Sequence, residues 1–313
     1  MPGKNSSNAD TKRTGCMKKG RTNIGASARA QLLNVARQLN VDYNALLRRY
    51  FQERFLYRLS VSEYKDNLIL KGALILAGYN ISRYRPTKDI DFLGKAIKDD
   101  IEDFKKIIAE IASIQNDDGV SFDIKNITAE EIKEEADYKG IKIHLPCSMD
   151  TIKNNVSVDI GFGDEIVAGP IEMDFPVILN SAVPKIKVYS LESAIAEKFE
   201  SIVKLNILTS RMKDFYDILF ISSSKSFNSE TLKIAINNTF KNRETDLQER
   251  TSVYEILKDD RQKKTQWSAF LKKNKLKAEN EFRVVIDKIQ NFIEPIFGLK
   301  ESKQWNPENW NWE

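Results

Sequence analysis

The chain has 313 residues, 41% hydrophobic and 30% charged, enough for two modest domains or one core with helical additions. Its 49 Lys and Arg against 45 Asp and Glu leave a net charge of +4, which is compatible with a nucleic-acid partner without being evidence for one. One histidine and two cysteines make histidine-rich metal sites, Ser-His-Asp triads and a disulfide framework improbable, so any chemistry here is expected to run on carboxylates, lysines and metal.

Residues 1–22 are polar and basic and are expected to form a solvated, mobile leader; a nucleic-acid-binding arm is the less favoured reading. The N-terminus lacks a signal-peptide core and no apolar run reaches membrane-spanning length. With Cys16 and Cys147 alone, this predicts a reducing, cytoplasmic setting and no membrane partner. From Ser27 to about Ser60 the spacing is helical, with Leu32, Leu33, Val35, Ala36 and Leu39 on one stretch and Leu46, Tyr50, Phe51, Phe55 and Leu59 on the next. NLILKGALILAGY (67–79) is almost wholly apolar and predicts a buried helix ending near Gly78, with Lys71 as its one charge.

RPTKDIDF then reads as turn and strand, and residues 97–115 as an amphipathic helix. SFDIKNITAEEI, YKGIKIHLPCS and NNVSVDIGFGD alternate with period two and predict strands. His144 falls in the second of these and reads as a strand residue on the wetter face. IKVYS predicts a short strand entering a long helix, and beyond Arg211 the pattern is helical to about Gly298. The implied fold class is α+β: a small mixed β-sheet core over 67–188, flanked by an N-terminal helical segment (23–66) and a helical C-terminal half (189–300). A tryptophan-rich tail (301–313) is expected to pack back on its own domain, with contact to a partner protein as the sharper alternative.

Asp89 and Asp91 project from one face of a strand, roughly 6–7 Å apart, and repel unless something positive lies between them. Asp159, in VSVDI, projects from the polar face of another strand. If the two strands are neighbours, three carboxylates converge, and such a cluster suits Mg²⁺ or Mn²⁺ completed by phosphate oxygens. Two solvent-facing residues on an edge strand are the plainer alternative. Lys71, Arg83, Arg85 and Lys88 crowd the same segment and suit a polyanionic ligand, and Thr87 is placed to bond a phosphate oxygen or simply to close the turn after Pro86. Lys198 falls inside the apolar stripe Leu191, Ala194, Ile195, Ile202, Leu205, so it reaches either an anionic ligand or an internal salt bridge. Glu197 lies off that stripe and reads as a surface residue. Asp214 and Asp217 share one side of a helix, and the spacing alone leaves Asp214 open as base, supporting residue or helix-end carboxylate.

In order, RYFQERFLYRLSVSEYKDNLILKGALIL, RPTKDIDF, VDIGFGD, VYSLESAIAEKFESIV and RMKDFYDI resemble the AbiEii/AbiGii family of nucleotidyltransferase toxins, over about residues 27–295. The resemblance implies a polymerase-β-like nucleotidyltransferase core, and membership of toxin–antitoxin and phage-abortive systems. It further implies use of a nucleoside triphosphate with Mg²⁺ (or Mn²⁺) to nucleotidylate a target, in some members the acceptor end of tRNA. On the matching motifs, Asp89 and Asp91 would be the metal-binding pair, Lys198 the lysine of the AEK motif and Asp214 the first aspartate of RxKDxxD. Asp159 would stand where polymerase-β-like enzymes place a third carboxylate. The catalytic set is then Asp89, Asp91, Lys198 and Asp214, with Lys71, Gly72, Arg85, Thr87, Lys88 and Lys198 on the nucleotide. Where such enzymes often carry Gly-Gly or Gly-Ser, this chain has Gly72-Ala73. An antitoxin with a winged-helix DNA-binding domain is the implied protein partner, and the chain itself is expected to be a monomer. A two-metal nuclease and a catalytically silent triphosphate-binding subunit are the rival readings.

Overall fold

The helical spacing after residue 23 becomes α1 (Ile24–Leu39) and α2 (Tyr43–Ser60), capped by Asn23 and Asp42, whose side chains accept from the Ala26 and Ala45 N–H groups. This is a computed structural model and it describes residues 23–81, 85–97, 100–133 and 139–313. The basic leader and Arg83 lie outside the described residues.

Helix α2 runs through the interior and buries polar as well as apolar side chains. Each buried polar side chain of the helix makes at least one hydrogen bond, as burial demands. Arg58 pairs with Asp118 at 2.7 Å, Glu53 accepts from the Ile178 N–H at 2.8 Å, and Gln52 donates to the Lys88 carbonyl at 3.1 Å. The last bond ties the turn before the DxD strand to the helix.

The apolar run at 67–79 departs from the predicted helix. Its first part is strand β1 (Leu68–Lys71), which then turns at Gly72 into a short helix, α3 (Ile75–Gly78). A strand buried on both faces reads as a continuous apolar run, so periodicity could not separate the two cases. The tertiary surroundings decide: β1 lies between β2 (Asp89–Gly94), antiparallel, and β8 (Lys185–Val188), parallel. Helix α4 (Ile101–Ser113) follows β2. The remaining strands are β3 (Ser121–Phe122), β4 (Thr128–Lys133), β5 (Lys139–Met149), β6 (Ile152–Gly161) and β7 (Ile171–Asp174). Among the described residues they form one mixed sheet in the order β3-β5-β6-β2-β1-β8-β7, with β4 also on β5. Strand β7 was not foreseen; its apolar–polar alternation lasts only four residues, most of them exposed. Cys147 is a buried residue within β5, and His144 sits half-exposed on the same strand, as its wetter-face reading expected.

Val156, Val158 and Ile160 of β6 point into the core while Ser157 and Asp159 face the other way. Residues 191–293 are helical in α5 (Leu191–Leu205), α6 (Met212–Ser222), α7 (Ser229–Asn242), α8 (Arg250–Lys258), α9 (Arg261–Asn274) and α10 (Phe282–Ile293). The tail closes as a small hairpin, β9 (Trp305–Asn306) with β10 (Asn311–Trp312). Trp305 and Trp312 are buried against Phe292, and their indole N–H groups donate to the Ser222 and Phe292 carbonyls at 2.7 and 2.9 Å. The tryptophans thus pack back on their own helices. The basic stretch at 272–277 keeps its lysines exposed at the end of α9. Among the described residues no helix is long and apolar enough to cross a membrane.

Candidate functional site

Strand register builds the site. Lys142 of β5 is opposite Asp159 of β6, Asp159 is opposite Asp91 of β2, and Asp91 is opposite Lys71 of β1. Residues opposite one another on neighbouring strands share a face, so Lys142, Asp159, Asp91 and Lys71 form one row across four strands, with two anions inside and a cation at each end. The condition on which the carboxylates would converge is met: β2 and β6 are neighbours, in parallel.

Gly72 makes this row possible at its β1 end. It is held at φ +68, where side chains are disfavoured, and an added Cβ would overlap the Asp91 carboxylate, lying 2.6 Å from its carbon. Burial and the charge of Asp159 push the Asp91 carboxyl up to about 6, with Lys213 and Lys71 opposing. Among the described residues Asp91 makes no ion pair. Lys71 is drawn the other way, to Asp164 at 2.7 Å and Glu197 at 3.4 Å. Burial alone would lower its pKa, but Glu197 and Asp164 outweigh that and raise it, so it stays charged.

The opposite wall comes from the helices. Ser190 caps α5, accepting from the Ser193 N–H at 3.3 Å, and two turns on Lys198 points across to α6. There it meets both carboxylates of RMKDFYDI, Asp217 at 2.7 Å and Asp214 at 3.3 Å. Arg85 reaches over from the turn before β2 and donates Nε and Nη2 to the two oxygens of Asp217 at 3.0 and 2.9 Å. Arg211 pairs with Asp214 at 2.7 Å. Burial would raise the Asp214 carboxyl; Lys198, Arg211 and Lys213 more than offset it and hold it below its ordinary value. The salt-bridge reading of Lys198 holds, and the same side chain lines the cleft.

Between the walls lies a cleft of about 900 Å³, its open mouth included, lined by Lys71, Gly72, Arg85, Asp91, Lys198 and Asp214, among others. A smaller hollow of about 410 Å³ shares Lys71 and Asp91 with it and reaches Asp159. Two residues expected on the nucleotide do not line either space. Lys88 is exposed, and Thr87 donates its hydroxyl to the Asp89 carbonyl at 3.3 Å, closing the turn. Asp89, expected beside Asp91 on the metal, also lines neither space, and its side chain is 38% exposed. Glu197, expected on the surface, is instead inside the cleft beside Lys71 and Arg243.

Sequence reasoning missed several participants. Arg243, at the end of α7, pairs with Asp164 at 3.0 Å and Glu200 at 3.1 Å, joining the β6–β7 connection to α5. No local signal marks it, because its partners lie 79 and 43 residues away. Asp164 belongs to the quoted GFGD stretch, and its charge beside two glycines was the available hint. Lys213 lines the cleft; burial lowers its pKa, Asp214 opposes, and Arg211, Lys198 and Arg85 add to the lowering.

Paired strand carboxylates are the donor chemistry of a hard divalent cation, and the uncompensated charge at Asp91 is what such an ion would relieve. The fit is best at Asp89 and Asp91. At Asp159 the space is taken by Lys142, whose ammonium lies 2.7 and 2.8 Å from its two oxygens. Among the described residues no three His, Cys, Asp or Glu side chains stand together as a ready ligand set.

Among solved structures, a candidate nucleotidyltransferase from H. pylori matches at 15% identity and a TM-score of 0.46, over 82% of this chain and 99% of that one. JHP933 from Helicobacter pylori matches at 14% identity and a TM-score of 0.47, over 82% and 96%. No curated protein matches. The family model described as "Nucleotidyl transferase AbiEii toxin, Type IV TA system" matches residues 54–288, well over half of the chain, and the chain belongs to that family of nucleotidyltransferase toxins.

Proposed function

We propose that the cleft binds a nucleoside triphosphate with Mg²⁺ (or Mn²⁺) and transfers its nucleotidyl group to the 3′ end of a tRNA, which would block translation. The observation that carries this reading is the arrangement of charge. Asp91 and Asp159 are opposite one another on adjacent strands, Asp91 lining the cleft and Asp159 the adjoining hollow, and Lys71, Arg85, Lys198 and Lys213 line the cleft. A triphosphate tail with a hard cation complements both sides, the metal meeting the carboxylates and the phosphates the cations. A bound divalent cation at Asp89 and Asp91 would supply Lewis-acid stabilisation of the α-phosphate and acidify the attacking hydroxyl.

The chain's own residues do the rest. Lys198 is fixed by Asp217 and Asp214, so its ammonium is aimed before the nucleotide arrives. Arg85 is fixed in the same way by Asp217. Asp214 acts here as a positioning residue for Lys198 and Arg211. The acceptor hydroxyl gives its proton to solvent as its oxygen forms a bond to the α-phosphorus, the bond from that phosphorus to the bridging oxygen breaks, and pyrophosphate leaves with the electron pair.

Membership of a toxin–antitoxin family implies an antitoxin partner; a winged-helix DNA-binding antitoxin is the form we propose. Incubation with each α-labelled triphosphate and total tRNA tests the reading. Label gained by tRNA, and lost in Asp91→Asn, supports transfer; strands cut without label would point to a nuclease, and binding without turnover to a regulatory subunit.

A further inference from the structure

The four-residue row places its two lysines unequally. Lys71 leaves the row for Asp164 and Glu197. Lys142 stays within it: its ammonium is 2.7 Å from one oxygen of Asp159 and 2.8 Å from the other, so it spans the whole carboxylate. The same ammonium is 3.7 Å from Asp89. Lys142 and Asp159 are opposite one another on antiparallel strands and equally exposed at 22%, so the pair is set by register rather than by a wandering side chain. On the other side, the Asp91 carboxylate lies against Gly72, the first residue past the end of β1, the strand away from Asp159. The two central carboxylates thus face different neighbours.

We infer that Lys142 keeps Asp159 out of the cation site, so that in this chain the divalent ion is held by Asp89 and Asp91 and by phosphate oxygens, with Asp159 as a positioning residue neutralised by its lysine. This rests on the nucleotide reading of the cleft and sharpens it. A three-carboxylate cluster would load metal without help. Two carboxylates with an ammonium 3.7 Å from one of them bind it weakly until a polyanion brings further oxygen ligands. Cation and triphosphate then enter as a unit.

The test is Mn²⁺ binding to the full chain, read from the electron paramagnetic resonance signal of free Mn²⁺, with inorganic triphosphate as the probe polyanion. The pair variant Lys142→Gln/Asp159→Asn replaces two charges by two amides that can still bond across the strands. It is expected to bind Mn²⁺ with triphosphate within about threefold of the unaltered chain, while Asp91→Asn loses about tenfold or more. Loss in the pair variant as large as in Asp91→Asn, with an unchanged melting temperature, would make Asp159 a ligand and overturn the inference. Lys142→Gln alone is expected to tighten Mn²⁺ binding without triphosphate by about tenfold, since it frees a third carboxylate. No change in that variant overturns it also. If the unaltered chain binds no Mn²⁺ even with triphosphate, the nucleotide reading fails, and this inference with it.

Discussion

Gly72 shows how tightly single residues constrain this cleft. With φ at +68 and the Asp91 carboxylate against it, Gly72→Ala adds backbone strain of about 1–2 kcal/mol and forces Asp91 aside. Urea denaturation is expected to register that loss, and nucleotidyl transfer to fall about tenfold or more through misplacement of Asp91; wild-type values in both assays would remove the argument. Asp217 is fully buried between Lys198 and Arg85. Truncating it strands two cations, so Asp217→Ala is expected to cost about 3–5 kcal/mol in the same denaturation experiment. Asp164 sets a pH dependence. Burial would raise its carboxyl, but Lys71 and Arg243 hold it down at about 2 against an ordinary 3.8. A depressed folded-state pKa contributes stability above the unfolded value and loses it as pH falls from about 4 to about 2, an effect of roughly 2 kcal/mol. Asp164→Asn should flatten the stability curve across that window; an unaltered curve would show that the ion pairs there are unimportant.

At the scale of elements, the sequence was most readable where one face decides burial. The alternation in β6 located Asp159, and the Ser190 cap and apolar stripe of α5 located Lys198 as an oddity. It was least readable where tertiary context decides. Leu68, Ile69 and Leu70 before Lys71 and Gly72 suit a helix or a central strand, and only the pairing of β1 between β2 and β8 resolves them. The DxD pair was visible, but the row Lys142, Asp159, Asp91, Lys71 was not, since register is a property of strand pairing and Lys142 looked like any polar position of β5. Arg243, Glu197 and Asp164 meet through three separate elements, so no local pattern announces them. The β9–β10 hairpin offers a structural prediction. Trp305 is fully buried against Phe292 and Trp312. Trp305→Ala is expected to cost about 3–5 kcal/mol of stability while leaving transfer per folded molecule unchanged, which thermal melting alongside a rate assay would check; lost transfer in a fully folded variant would place the tail in the function.

For the whole molecule, the sheet side brings Asp91, Lys71 and Arg85 and the helical half brings Lys198, Lys213, Glu197 and Asp214, and the cleft exists only where they meet. Arg85 to Asp217, Lys71 to Glu197 and Arg243 to Asp164 are the ties across that seam. These ties fix the cations of the cleft before a ligand arrives, at the cost of burying charge that must remain paired. The most direct measurement follows the α-phosphate. With α-labelled triphosphate, Mg²⁺ and total tRNA, label is expected to join the RNA with one pyrophosphate released per nucleotide added. Folded Asp91→Asn and Lys198→Met variants should fall at least about a thousandfold. RNA cut without gain of label, or transfer at the unaltered rate in Asp91→Asn, would contradict a nucleotidyl-transfer centre in this cleft.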